Sequence, residues 1–203
     1  MNKNDFIAEL KAERFEALAE SIVDGVPEIF QGDAPTFLEF QQATAQLVDV
    51  QPKNVCIVGS ARFGYSLSPD TFGIDFSDSS DVDIVVVDER KFDQIWWLIS
   101  DWAFPWPNRT WSREQTKWCR KKVNACFNGW LEPTEFRIPR NGMLVAPQPL
   151  RNVRVTWFNA MKELSNFHGV AGHDCHVRLY RTWEHVLRYQ VWSLRQICRT
   201  VTH

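Results

Sequence analysis

The sequence predicts an α/β protein: a small mixed β-sheet with flanking helices and an extended C-terminal helical part. Three observations carry this expectation. Two short, strongly apolar runs, Val55-Cys56-Ile57-Val58 and Ile84-Val85-Val86-Val87, read as buried strands. Long stretches on both sides repeat apolar residues at helical spacing. Residues 61–80, between the two runs, are rich in Ser, Gly, Asp and Pro and mark a connection. The 203 residues suit one domain, or one domain with an appended subdomain. They divide into N-terminal helices packed on the core (1–50), the core itself (51–155) and C-terminal helices (156–203).

Each element has its own reason. Phe6, Ile7, Leu10, Phe15, Leu18, Ile22 and Val23 keep a period near 3.6 and predict a helix over 4–24, capped by Asn4 or Asp5 and ended by Gly25 and Pro27. A second helix is expected over 36–48, with Asp33, Thr36 or both as cap. Strands follow at 54–59 and 81–88, and a helix at 89–102 with Phe92, Ile95, Trp96, Ile99 and Trp102 on one stripe. "FPWPN" at 104–108 breaks it. A basic helix over 110–127 carries Arg113, Lys117, Arg120, Lys121 and Lys122. Residues 130–150 hold four prolines and read as irregular, with one short strand near Phe136. A helix is expected over 155–166, with "VRVTWF" as an alternative strand, and a final long helix over 177–200.

No apolar run approaches the roughly 20 residues of a membrane span, so a soluble, cytoplasmic protein with no membrane partner is expected. Five cysteines without CxxC spacing fit reduced thiols. Charge is split: residues 1–100 hold 7 Lys+Arg against 18 Asp+Glu, and residues 101–203 hold 16 against 7. Either the halves neutralise each other on packing, or the basic 110–127 helix faces an anion such as nucleic acid. Ten tryptophans exceed what a small core is expected to bury, which suggests a protein partner. Trp106, Trp111 and Trp97 are the candidates for exposure.

The chemistry centres on Asp81 and Asp83, which open the second strand. Strand side chains alternate, so the two carboxylates share a face and repel each other. A divalent cation removes that repulsion, and oxygen ligands suit Mg²⁺ or Mn²⁺, which keep waters and take substrate phosphates. Upstream, Gly59-Ser60 follows the first strand. A glycine there lets a phosphate approach the backbone, and Ser60 offers a hydroxyl and an N–H at a helix start.

The combination of "VGS" at 58–60 and "SDVDIVVV" at 80–87 resembles the nucleotidyltransferase superfamily. That superfamily includes DNA polymerase β, the cGAS-like bacterial synthases and the minimal nucleotidyltransferases of toxin–antitoxin modules. The resemblance covers residues 54–102. It implies a sheet of nucleotidyltransferase type, Gly59 and Ser60 at the nucleotide phosphates, and Asp81 and Asp83 as catalytic metal ligands. It implies Mg²⁺ or Mn²⁺ as cofactor and an NTP as substrate. The expected function is transfer of an NMP to the hydroxyl of a protein, an RNA or a nucleotide. The family's third carboxylate lies on a later strand; Glu135 and Glu132 are the candidates here. The alternative is a catalytically inactive relative that binds a partner protein in a bacterial defence or toxin–antitoxin assembly. The connection 61–80 exceeds the family's usual length and is expected to form a lid or an insertion.

Three other constellations carry less. His168, His173, Cys175 and His176 are zinc-ligand types at a spacing that matches no familiar zinc motif. Arg178 and His185 have the spacing of helical ribonucleases, but sit in what reads as an amphipathic packing helix. "GYSLSP" at 64–69 lacks His and Asp partners for a serine nucleophile.

Overall fold

In the computed structural model of the chain, residues 1–103, 112–136 and 146–201 are described, Gln115 by its backbone only. A four-stranded mixed sheet with two unlike faces organises them. Its strands are β1 (Val55–Val58), β2 (Val82–Val87), β3 (Trp130–Leu131) and β4 (Cys175–Tyr180), in the order β1-β2-β4-β3. β2 runs antiparallel to β1 and parallel to β4, and β3 runs antiparallel to β4. Parallel neighbours need a long crossover. Between β2 and β4 the chain forms α5 (Glu89–Ala103), α6 (Arg113–Phe127) and α7 (Gln148–Leu164), with β3 between the last two. Before the sheet come α1 (Lys3–Lys11), α2 (Phe15–Val23) and α3 (Ala34–Val48); α4 (Ser60–Phe63) follows β1, and α8 (Trp183–Val201) follows β4.

Alternation along the strands assigns the faces. Val55, Ile57, Val82, Ile84, Val86, Val177 and Leu179 point one way, into a core shared with Phe37, Phe40, Phe92, Ile95, Leu150 and Trp157 from α3, α5 and α7. On the other face, Cys56, Val85, Val87 and Tyr180 pack against Val186 of α8. Further along, α8 leaves the sheet to join α1 and α2, where Leu194 and Ile197 meet Phe6, Leu10, Leu18 and Ile22. Asp83, His176 and Arg178 occupy the part of that face between the two packing zones. Thus one face is apolar throughout and the other changes from apolar to charged along its length.

Local chemistry fixes the element ends. Asn2, rather than Asn4 or Asp5, caps α1 by accepting from the Asp5 N–H at 2.9 Å. Asp33 caps α3 through the Thr36 N–H, and Asp88 accepts from the Lys91 N–H at the start of α5. The expected helix over 4–24 is two helices. The chain turns at Ala12–Arg14, where Glu13 adopts φ 57°. Periodicity runs through the break because both helices bury their apolar residues in the same cluster.

Larger corrections fall after residue 130. The short strand lies at Trp130–Leu131, and Phe136 is a buried residue following a 3-10 turn at Pro133–Glu135. The helix expected over 155–166 starts earlier, at Gln148, with a proline in its first turn. The helix expected over 177–200 is a strand, Cys175–Tyr180, followed by α8. The segment "CHVRLY" alternates apolar and polar residues with period 2, and the sheet buries Cys175, Val177 and Leu179 on one side. The break at 104–108, with Trp106, and also Trp111, lies outside the described residues. No helix among the described residues is long and apolar enough to cross a membrane.

Candidate functional site

Gly59 links β1 to α4 with φ 71° and ψ −149°, a conformation that non-glycine residues avoid. A Cβ there would sit 2.7 Å from Asp83 Oδ2. The turn and the carboxylate are therefore fitted to each other: β1 and β2 pair through Val58 and Asp83, and glycine makes room for the acid. Ser60 follows immediately. α4 spans only Ser60–Phe63, too short for a useful helix dipole, so Ser60 contributes its own N–H and hydroxyl and no more.

Asp83 and Asp81 share the face that looks toward α8. Asp83 pairs in register with His176 of β4, and His176 Nε2 lies 3.4 Å from Asp81 Oδ2. Asp83 keeps an exposed surface toward the cavity, while protein encloses it on its other sides. That enclosure pushes its carboxyl above the usual carboxylate range, Arg178 and His176 oppose the rise, and Asp81 adds to it. An anion raised in this way gains from any cation placed beside it.

The aspartate face opens on a cavity of about 630 Å³. Gly59 and Ser60 form one wall, Asp83 and Arg178 the floor, and α8 the opposite wall through Tyr189 and Trp192. Segment 61–80, the expected lid or insertion, borders the cavity through Ser66 to Pro69. It is a hydrogen-bonded, hairpin-like loop. Ser66 N–H donates to the Ile74 carbonyl, Gly73 N–H to the Ser66 carbonyl, and Phe76 N–H to the Gly64 carbonyl. Lys3 Nζ holds it from α1 by donating to the Gly73 carbonyl at 2.8 Å.

Both candidate third acids line this cavity, and they differ in their surroundings. Glu132, one residue beyond β3, faces three cations: Arg178 Nη2 at 3.4 Å, Lys122 Nζ at 3.9 Å and Lys121 Nζ at 4.0 Å. Glu135 lies a turn further along, on the 3-10 segment. Among the described residues, no three His, Cys, Asp or Glu side chains gather closely enough to hold a metal ion. Asp83 alone of the pair lines the floor, and Asp81, outside the lining, reaches His176 at 3.4 Å, so the carboxylates on offer number at most two. That fits one divalent ion which keeps waters and shares the rest of its coordination with substrate phosphates.

Arg178 is the organising residue of the floor, and helical periodicity alone misplaces it. Its guanidinium lies 5.0 Å from the Trp130 ring and 4.6 Å from the Tyr189 ring while it reaches Glu132. It ties β4 to β3 and to α8. His185, its expected partner in a ribonuclease pair, sits instead at the start of α8 and bonds Thr182 Oγ1 at 2.7 Å.

The basic helix turns part of its charge inward. Lys122 is 2% exposed, lying over the Trp118 and Phe136 rings. Burial pushes its ammonium below the ordinary lysine range, with Glu132 opposing. Lys121 faces the cavity. Among the described residues both pair with Glu132, not with the acidic N-terminal half. The halves meet elsewhere: Arg181 bridges to Glu89 and Asp93, each at 2.9 Å.

The zinc-type residues have separate neighbours. His173 Nδ1 is 2.8 Å from the Ser80 carbonyl, His168 is near Glu39, and Cys175 is buried against the sheet core. No known protein family, curated protein or solved structure matches this chain. What it does must be read from the cavity itself.

Proposed function

We propose that the protein is a metal-dependent nucleotidyltransferase that moves an NMP from an NTP to an acceptor hydroxyl, breaking the bond between the α- and β-phosphates and releasing pyrophosphate. One observation carries the reading: Gly59-Ser60 and Asp83 converge on one cavity large enough for a nucleotide, with Asp81 beside Asp83 on the same strand face. The acid pair at the entrance of a central strand, beside a glycine turn, supports the reading.

Asp81 and Asp83 would hold Mg²⁺ or Mn²⁺, which when bound supplies the charge that draws the triphosphate and acidifies the acceptor hydroxyl. Gly59 keeps the turn free of side-chain bulk, so phosphate oxygens can approach the backbone. Ser60 donates hydrogen bonds to them, and Lys121 and, in the floor, Arg178 add positive charge. Glu135 lines the same cavity and would receive the acceptor's proton.

A second reading has its own observation. β4, the strand beside the aspartates, presents His176 and Arg178 and no carboxylate on the site face. A catalytically inactive protein that binds a nucleotide and a partner protein, as in a bacterial defence or toxin–antitoxin assembly, would have such a site. Incubation with each α-labelled NTP and Mg²⁺ or Mn²⁺, with and without cell extract, separates the two. Label transferred by the parent and lost in Asp81→Asn/Asp83→Asn supports the enzyme. Nucleotide binding without transfer under every condition supports the second reading.

A further inference from the structure

α8 presents a face that neither the core nor the cavity floor explains. Arg188, Trp192, Arg195 and Arg199 recur at i, i+4, i+7 and i+11, which aligns them along one side of the helix. All four are exposed. Trp192 is 58% exposed, on a helix that buries Val186, Leu194 and Ile197 on another side. Arg188 and Arg199 meet no carboxylate at ion-pair distance among the described residues, and Arg195 meets Glu16 at 4.0 Å and lies 5.7 Å from the centre of the Phe15 ring.

The stripe is continuous with the candidate site. Trp192 lines the same cavity as Ser60 and Asp83, next to Tyr189, Ser193 and Gln196. Its ring leans on Tyr189 with centroids 5.9 Å apart, and Tyr189 is pinned by the Arg178 guanidinium at 4.6 Å. An exposed indole on an ordered support, at a cavity mouth, is a stacking platform already in place. Guanidiniums on either side of it along the helix can meet the backbone phosphates that flank one stacked base. A duplex hides its base faces and cannot use the indole.

We propose that this face of α8 is a track for single-stranded nucleic acid, and that the acceptor hydroxyl is the end of such a strand. Trp192 stacks the base nearest the cavity, while Arg188, Arg195 and Arg199 contact backbone phosphates. This rests on the nucleotidyl-transfer reading and names its acceptor. It differs from the expected nucleic-acid contact through the 110–127 helix, whose Lys122 is buried and whose Lys121 faces Glu132.

The test is fluorescence anisotropy with a labelled RNA of about 12 nucleotides, the same sequence as DNA, and an RNA duplex of equal length. The full chain is compared with Trp192→Ala, Trp192→Phe and Arg188→Glu/Arg199→Glu, each first shown to melt like the parent. Trp192 and both arginines are exposed, so folding should survive. The expected result is preference for a single strand over the duplex, with affinity falling steeply in salt. Trp192→Ala should weaken binding roughly tenfold or more, the weight of one stacked base, and Trp192→Phe should restore most of it. The double glutamate variant should flatten the salt dependence. No single-strand binding, or binding indifferent to all three variants, overturns the proposal. If NMP transfer goes to a protein while no strand binds, the transferase reading stands and the track falls. If strands bind through Trp192 but no NTP is ever transferred, the track stands, and the acceptor role falls with the transferase reading.

Discussion

Gly59 and Asp83 hold each other's place: the turn is open because glycine leaves it open, and the carboxylate fills the opening. Gly59→Ala puts a Cβ 2.7 Å from Asp83 Oδ2 at a φ of +71°. The expected loss is about 1–3 kcal/mol, read by urea denaturation. An unchanged midpoint would mean that the turn has no such constraint. Asp83 itself makes a prediction with a definite sign. Enclosure on the sides away from the cavity raises its carboxyl above the ordinary value of 3.8, so the folded chain holds this proton more tightly than the unfolded chain does. The ionised group therefore costs stability. The cost grows as pH rises from the ordinary carboxylate value through the folded one. Without divalent ions, Asp83→Asn should gain melting temperature at neutral pH and little at acid pH. An equal gain at every pH would show that the cost does not come from ionisation.

Elements meet at Arg178, where β4, β3 and α8 share one guanidinium between two rings and Glu132. Its side chain is 30% exposed, which weakens the ion pair but leaves the ring contacts. Arg178→Ala should cost about 2 kcal/mol in equilibrium unfolding. Arg178→Lys should recover little, because an ammonium cannot stack as a plane against the Trp130 and Tyr189 rings. Full recovery by lysine would reduce the residue to a point charge. This element also marks the limit of legibility. β1, β2 and the helix after them can be read directly, because a run such as Ile84-Val85-Val86-Val87 is buried on both faces of the sheet. Gly59, Ser60, Asp81 and Asp83 are legible with them, since one glycine turn and one acid pair flank those strands. β4 is not. "CHVRLY" runs straight into α8, with only Arg181 and Thr182 between them, and its arginine, histidine and tyrosine also fit a helix surface. With β4 misread as helix, His176, Arg178 and the α8 wall drop out of the site. Their visible signal is the alternation of Cys175, Val177 and Leu179 with His176, Arg178 and Tyr180.

Over the whole molecule, the aromatic load and the charge split resolve differently. Trp157 is 5% exposed and belongs to the core, whereas Trp97 and Trp192 are each 58% exposed, on α5 and α8. Iodide should therefore quench part of the tryptophan fluorescence, and Trp97→Ala/Trp192→Ala should remove much of that part. Complete resistance to quenching would mean that these indoles are covered. The charge split is partly internal, through Arg181 with Glu89 and Asp93, and partly absorbed around Glu132. At the cavity, we propose, a divalent ion offsets the charge of the enclosed Asp83. The most direct measurement of that claim is calorimetric titration of the chain with a non-hydrolysable NTP in the presence of Mn²⁺ or Mg²⁺, repeated with Asp81→Asn/Asp83→Asn. A metal-nucleotide site predicts saturable binding that needs the divalent ion and disappears in the double variant, while that variant melts no lower than the parent. Binding of equal strength without the ion, or in the double variant, would contradict it.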